Sequence, residues 1–266
     1  VLLPGVVAGD RLLVDFPATE GFHEGEGEKQ QAGHRWGYLR SGEIISAAQL
    51  FTAQGHFRLV GDPTLMDPPY RQEVERLANE LETAYALLES QTGMTWLQRT
   101  KWPIDVGLGF WWFDKADGYA VNSKRGRDHD MLQFNVYKLM DPTRAPYVRA
   151  AAIHELFHLL QYNYAPQQAQ AGADGWLYEM CSTWSEWLNG AANYYPDNII
   201  TNEPRFPING LFNATGTLAV NDSQARSAAN HGYVSSLFLR FLIRYTDNNP
   251  QRVGLLWTSI RAGSDI

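Results

Sequence analysis

One segment constrains this chain more than any other: Ala150-Ala-Ala-Ile-His154-Glu155-Leu-Phe-His158-Leu-Leu-Gln161. Apart from its two histidines and one glutamate it carries no ionisable side chain, so it reads as a helix buried on most sides. A buried helix does not hold two imidazoles and a carboxylate unless something pairs with them. Histidines four apart on a helix lie about 40° apart around the axis and roughly 6 Å along it, so His154 and His158 can reach one cation from one face. Glu155 flanks that face without blocking it and can take a proton from a water beside the cation. The chemistry expected of this pattern is a zinc site.

Two histidines do not complete such a site, because catalytic zinc takes three protein ligands and leaves one position open. The next candidates lie in Asp174-Gly-Trp-Leu-Tyr-Glu179-Met-Cys-Ser-Thr-Trp-Ser-Glu186. Glu179 follows His158 by 21 residues, room for the first helix to end and a second to return beside it. Glu186 lies two turns further along the same face. Glu179 is the expected ligand; Glu186 either accepts a hydrogen bond from a ligand histidine or is itself the ligand. Cys181, two residues past Glu179, has no uncommitted base beside it and reads as a small buried hydrophobe.

Composition narrows the setting. A single cysteine among 266 residues excludes a disulfide scaffold and a four-cysteine zinc module. A net charge of -7 supplies no basic footprint for nucleic acid. No apolar run approaches the roughly 18 residues of a membrane span, and the 9 Trp, 13 Tyr and 12 Phe exclude intrinsic disorder. The sequence sets no oligomeric state.

Along the chain, residues 1–35 read as an irregular N-terminal segment, with the glycine-rich polar stretch 21–33 as a loop or linker. Residues 36–163 read as a sheet lobe ending in the histidine helix. It holds strands near 55–60, 104–113, 119–121 and 131–137 and a helix over 70–91, whose Val74, Leu77, Leu81, Ala84 and Leu88 form one apolar stripe. Trp111 and Trp112 belong to the sheet, and the loop around Asp128, His129 and Asp130 reads as a solvated turn. Residues 164–266 read as a helical lobe carrying the glutamate helix, with helices over 175–188, 232–245 and 251–261. Trp176, Trp184 and Trp187 pack the glutamate helix against its neighbours. The fold class expected is α+β: a mixed sheet in the first lobe and a mainly helical second lobe.

HELFH followed by a glutamate on a separate helix resembles the gluzincin branch of zinc metallopeptidases. The longer strings HELFHLLQYNY, GWLYEMCSTWSEW and HGYVSSLFLRFL look like a group of bacterial metalloproteases. Over residues 55–262 that resemblance implies a zincin-like fold, zinc on His154, His158 and Glu179, and Glu155 as base in the hydrolysis of a peptide or protein substrate. It also implies an oxyanion donor downstream, for which His231 and Tyr233 are the best matches. A strand edge that pairs with extended substrate is implied too; Met131–Tyr137 occupies that place, with Gln133 and Asn135 as polar candidates and an interior strand as the alternative. The chain departs from the pattern at Thr183, where thermolysin-like enzymes carry an aspartate behind a histidine ligand. Glu186 is the substitute. The competing expectation is a zinc-binding module without activity that recognises a protein partner through the same cleft. The chain opens on Val1 with no leader, and its last residues read as the middle of a connection. A longer precursor with a secreted or cell-envelope destination is therefore expected.

Overall fold

The computed structural model describes residues 12–17, 34–40, 43–68, 70–96, 99–109, 118–121, 130–165, 175–190 and 228–263. Strands β1 (Leu12–Pro17), β2 (His34–Arg40) and β3 (Glu43–Ser46) form an antiparallel three-stranded sheet in that order. Strands β4 (Ala48–Phe51), β5 (Phe57–Gly61), β6 (Ile104–Gly109), β7 (Gly118–Val121) and β8 (Met131–Asn135) form a second sheet in the order β4-β5-β6-β8-β7. Its two central pairings, β5 with β6 and β6 with β8, are parallel, and both outer pairings are antiparallel. The sheet is mixed and helices follow it, so the class is α+β.

The parallel β5–β6 pair requires a crossover, and helix α1 (Tyr70–Thr92) supplies it. Val74, Leu77, Leu81, Ala84 and Leu88 are all fully buried, as the stripe in the sequence requires. Gly93, at φ +68, ends the helix in the left-handed conformation that glycine adopts freely. Strand β6 is buried along its whole length, Ile104, Val106 and Leu108 on one face and Asp105, Gly107 and Gly109 on the other, as a sheet with helices on it demands. Each such apolar side chain taken out of water contributes roughly 1.5–3 kcal/mol.

After a short helix, α2 (Val136–Leu139), helix α3 (Ala145–Tyr164) carries the histidine pair through the core. It is apolar almost all round, and Ile153, Leu156, Phe157, Leu159 and Leu160 are fully buried. Helices α4 (Gly175–Ser185), α5 (Ala228–Thr246) and α6 (Gln251–Arg261) complete the described chain. No helix among the described residues is long and apolar enough to cross a membrane.

Two expectations need correction, and one open alternative is decided. Residues 12–17, expected to be irregular, form a strand whose pairing with β2 reaches across the glycine-rich stretch; local pattern does not reveal such a partner. The expected strand 131–137 stops at Asn135, whose side chain accepts a hydrogen bond from the Tyr137 N–H at 3.1 Å and opens α2. That strand pairs on both sides, with β6 and with β7, so of the two alternatives for it the interior strand holds; among the described residues the outermost strands are β4 and, beside it, β7 (Gly118–Val121). Trp111, Trp112, Asp128, His129 and the loop 21–33 lie outside the described residues.

Candidate metal centre

Helix α3 places His154 and His158 one turn apart on its buried face, and α4 packs against that face with Glu179 in its second turn. His154 Nε2 lies 3.1 Å from His158 Nε2 and 3.2 Å from Glu179 Oε2, and His158 Nε2 lies 3.5 Å from the same oxygen. Among the described residues this is the one cluster of three or more His, Cys, Asp or Glu side chains with a shared ligating point. Ligands about 2.0–2.1 Å from a tetrahedral ion stand about 3.3–3.4 Å apart. The three atoms have that spacing.

The far side of each imidazole fixes which nitrogen faces the cluster. His154 Nδ1 donates to Glu186 Oε1 at 2.8 Å, and His158 Nδ1 donates to Gln161 Oε1 at 2.8 Å. The Gln161 amide is itself oriented, because its Nε2 donates to the Tyr178 carbonyl at 3.0 Å. Ser182 Oγ lies 3.1 Å from His158 Nδ1 and donates to Gln161 Oε1 at 3.2 Å. With both Nδ1 atoms protonated and engaged, both Nε2 lone pairs point at Glu179 Oε2. Three electron-pair donors facing one point need a cation there, either a proton or a metal ion. The donor set of two imidazoles and a carboxylate fits zinc.

The electrostatics follow from this packing. Burial works against a charged His154, but hydrogen bonds to Glu179 and Glu186 and the charge of Glu155 outweigh it and hold the imidazole well above its ordinary 6.5. Burial likewise raises Glu179, and the two histidines overcome that and hold its carboxyl far below the usual carboxylate range. Glu155 goes the other way. Burial raises it, and the histidine charges and a backbone hydrogen bond offset this only in part.

That backbone bond is informative: Ala120 N–H donates to Glu155 Oε2 at 2.7 Å. Ala120 sits on the edge strand β7, opposite Leu132, and its N–H faces α3 rather than the ladder. The base expected from the motif therefore lies between the histidine pair and β7, an outermost strand of the sheet among the described residues.

The other candidate residues separate clearly. Glu186 is the hydrogen-bond partner of His154 and not a member of the ligating cluster. Thr183 is buried, yet its hydroxyl has no hydrogen bond among the described residues, so it orients neither histidine. Glu186, not Thr183, takes the expected orienting role. Tyr233 is half-buried on α5, its ring centroid 6.3 Å from that of His154. His231 belongs to the same helix, but its side chain lies outside the described part. Gln133 is half-buried and Asn135 fully buried on the interior strand β8, where Asn135 serves as the cap of α2. Cys181 is fully buried and burial pushes its thiol up to about 12, which fits the hydrophobe expected there.

Three contributors escape a reading of the sequence. Gln161 and Ser182 hold His158, and their spacing (three after His158, three after Glu179) was the available signal. The third is Gly232. A Cβ there would lie 2.4 Å from the Trp176 carbonyl oxygen and 2.5 Å from Glu179 Cβ, so only glycine lets α5 lie against the backbone that carries the third ligand.

No family model matches this chain, and no curated protein or solved structure is found similar to it. The reading of the centre rests on its own residues.

Proposed function

We propose that this chain is a zinc-dependent peptidase of gluzincin type, with His154, His158 and Glu179 as metal ligands and Glu155 as general base. The observation that carries the reading is the convergence of His154 Nε2, His158 Nε2 and Glu179 Oε2 within 3.1–3.5 Å of one another, beside an acid whose burial raises it. Zinc held there would supply Lewis acidity and acidify a water in its open position. Glu155 accepts a proton from the attacking water and returns it to the leaving nitrogen, a role that suits a carboxyl raised toward neutrality. Glu186 and the Gln161–Ser182 pair hold the imidazoles in the tautomer that leaves Nε2 free. Tyr233, near the His154 ring, is the candidate to donate a hydrogen bond to the developing oxyanion.

β7, an outermost strand of the sheet among the described residues, lies beside Glu155 and is where an extended substrate would add as a further strand. This replaces β8 and its Gln133 and Asn135 in that role, since β8 has no free edge.

The test is hydrolysis of casein or a quenched peptide library by zinc-loaded protein and by the Glu155→Gln variant. Cleavage that falls by at least about 1000-fold in the variant, with zinc retained, supports the reading. Zinc-loaded wild-type protein that cleaves nothing would instead support the silent binding module, since Glu155 is not needed to hold metal.

A further inference from the structure

The outer face of α5 carries a second set of unmet chemistry, away from the ligands. Phe238, Phe241, Leu242 and Tyr245 fall at helical spacing and stay exposed, Phe241 at 57% and Tyr245 at 78%. A solvated helix face does not need such a stripe. Beside it stand Arg240 and Arg244, one turn apart, in a chain with 29 acidic and 22 basic residues. Neither forms an ion pair among the described residues; the Arg240 guanidinium lies 4.6 Å from the Trp187 ring centroid. The nearest acid in sequence, Asp247, is held by Arg252 at 2.8 Å.

The two guanidiniums form a ridge between two hollows. One, of about 470 Å³, is lined by Trp184, Trp187 and Ile243 together with both arginines. The other, of about 510 Å³, is lined by Leu237, Phe241 and Tyr245 with the same arginines. Among the described residues no carboxylate lines either hollow. The ridge therefore offers cations, and the hollows offer aromatic walls.

We infer that this ridge is a docking site for an acidic peptide segment that also carries large apolar side chains. Its carboxylates would meet Arg240 and Arg244, which match carboxylate geometry in bidentate fashion. Its apolar side chains would fill the hollows on either side. A free small anion would satisfy the arginines and leave both hollows empty, whereas an extended chain alternates its side chains to opposite sides. The inference does not rest on the metal centre.

The test is fluorescence anisotropy with a labelled peptide of alternating Glu and Phe or Leu, and a control with Lys for Glu. The full chain carrying Glu155→Gln is titrated with and without EDTA, so that cleavage cannot intervene. The expected result is binding at least about tenfold tighter for the Glu peptide, unchanged by EDTA. Arg244→Gln, at an exposed position, should weaken it about threefold or more, and Arg240→Gln with Arg244→Gln about tenfold or more. Equal binding of the Lys peptide or undiminished binding to the double variant would overturn the inference. Loss with EDTA would move the peptide to the metal centre and overturn it too. Displacement of the peptide by phosphatidylglycerol vesicles that bind the protein more tightly would assign the face to an anionic membrane instead.

Discussion

The two histidines of the centre are held from behind by different chemistry. His154 leans on a buried carboxylate, Glu186, which is 1% exposed. His158 leans on a neutral amide, Gln161, with Ser182 beside it and the Tyr178 carbonyl fixing the amide. The carboxylate adds charge and makes its imidazole a stronger base; the amide adds orientation without charge. A buried carboxylate with its hydrogen-bond partner removed is also the costlier thing to strand. The His154 side should therefore govern affinity, and the His158 side should tolerate change.

The sharpest way to break this contrast is Glu186→Ala, which removes the charge behind His154. Zinc affinity, measured by competition with a chromophoric chelator, should fall about 100-fold. Gly232→Ala attacks the third ligand instead: the new Cβ must push α5 away from Glu179. Affinity should fall about tenfold, and thermal unfolding should shift by the equivalent of about 1–3 kcal/mol from overpacking. Gln161→Leu should cost less, about three- to tenfold, because Ser182 Oγ still lies 3.1 Å from His158 Nδ1. Should Gln161→Leu prove the worse of the two orienting substitutions, the contrast between charged and neutral support is wrong.

Acidity sharpens the same comparison. In the metal-free protein His154 is raised above its ordinary 6.5, so its proton stabilises the fold fully below that pH. That contribution is lost as pH rises through the raised value. A metal ion must displace this proton, so zinc affinity should already be falling at pH values above 6.5 as the solution is acidified. Calorimetric zinc titrations in buffers of different ionisation enthalpy measure the proton released, and release should persist at neutral pH. The smallest effect is expected at Cys181. With its thiol pushed up to about 12, it should not react with a disulfide reagent at pH 8 until the protein unfolds.

Much of the centre was legible because it is local. Spacing along one helix brings His154 and His158 together, and the length of chain between His158 and Glu179 allows a second helix to return. What was not legible depends on partners far apart in sequence. Whether 131–137 is an edge or an interior strand stayed open because its pairing with both β6 and β7 is encoded by no pattern within the strand. Strand 12–17 was missed for the same reason. Glu179 and Glu186 share one face, so the split between them depended on how far along α3 that face of α4 sits, and Gly232 marks where a third helix lies against Glu179. The Asn135 cap was readable in type, but an apolar run on both sides of it suggested an unbroken strand.

The most direct measurement is zinc content together with X-ray absorption at the zinc edge, on wild-type protein and on Glu179→Ala. The account predicts one zinc per chain, with two imidazole nitrogens and oxygen ligands at about 2.0–2.1 Å. It also predicts that Glu179→Ala loses affinity while Glu155→Gln does not. Protein that takes up no zinc would contradict the account, as would a site whose affinity and spectrum are indifferent to Glu179.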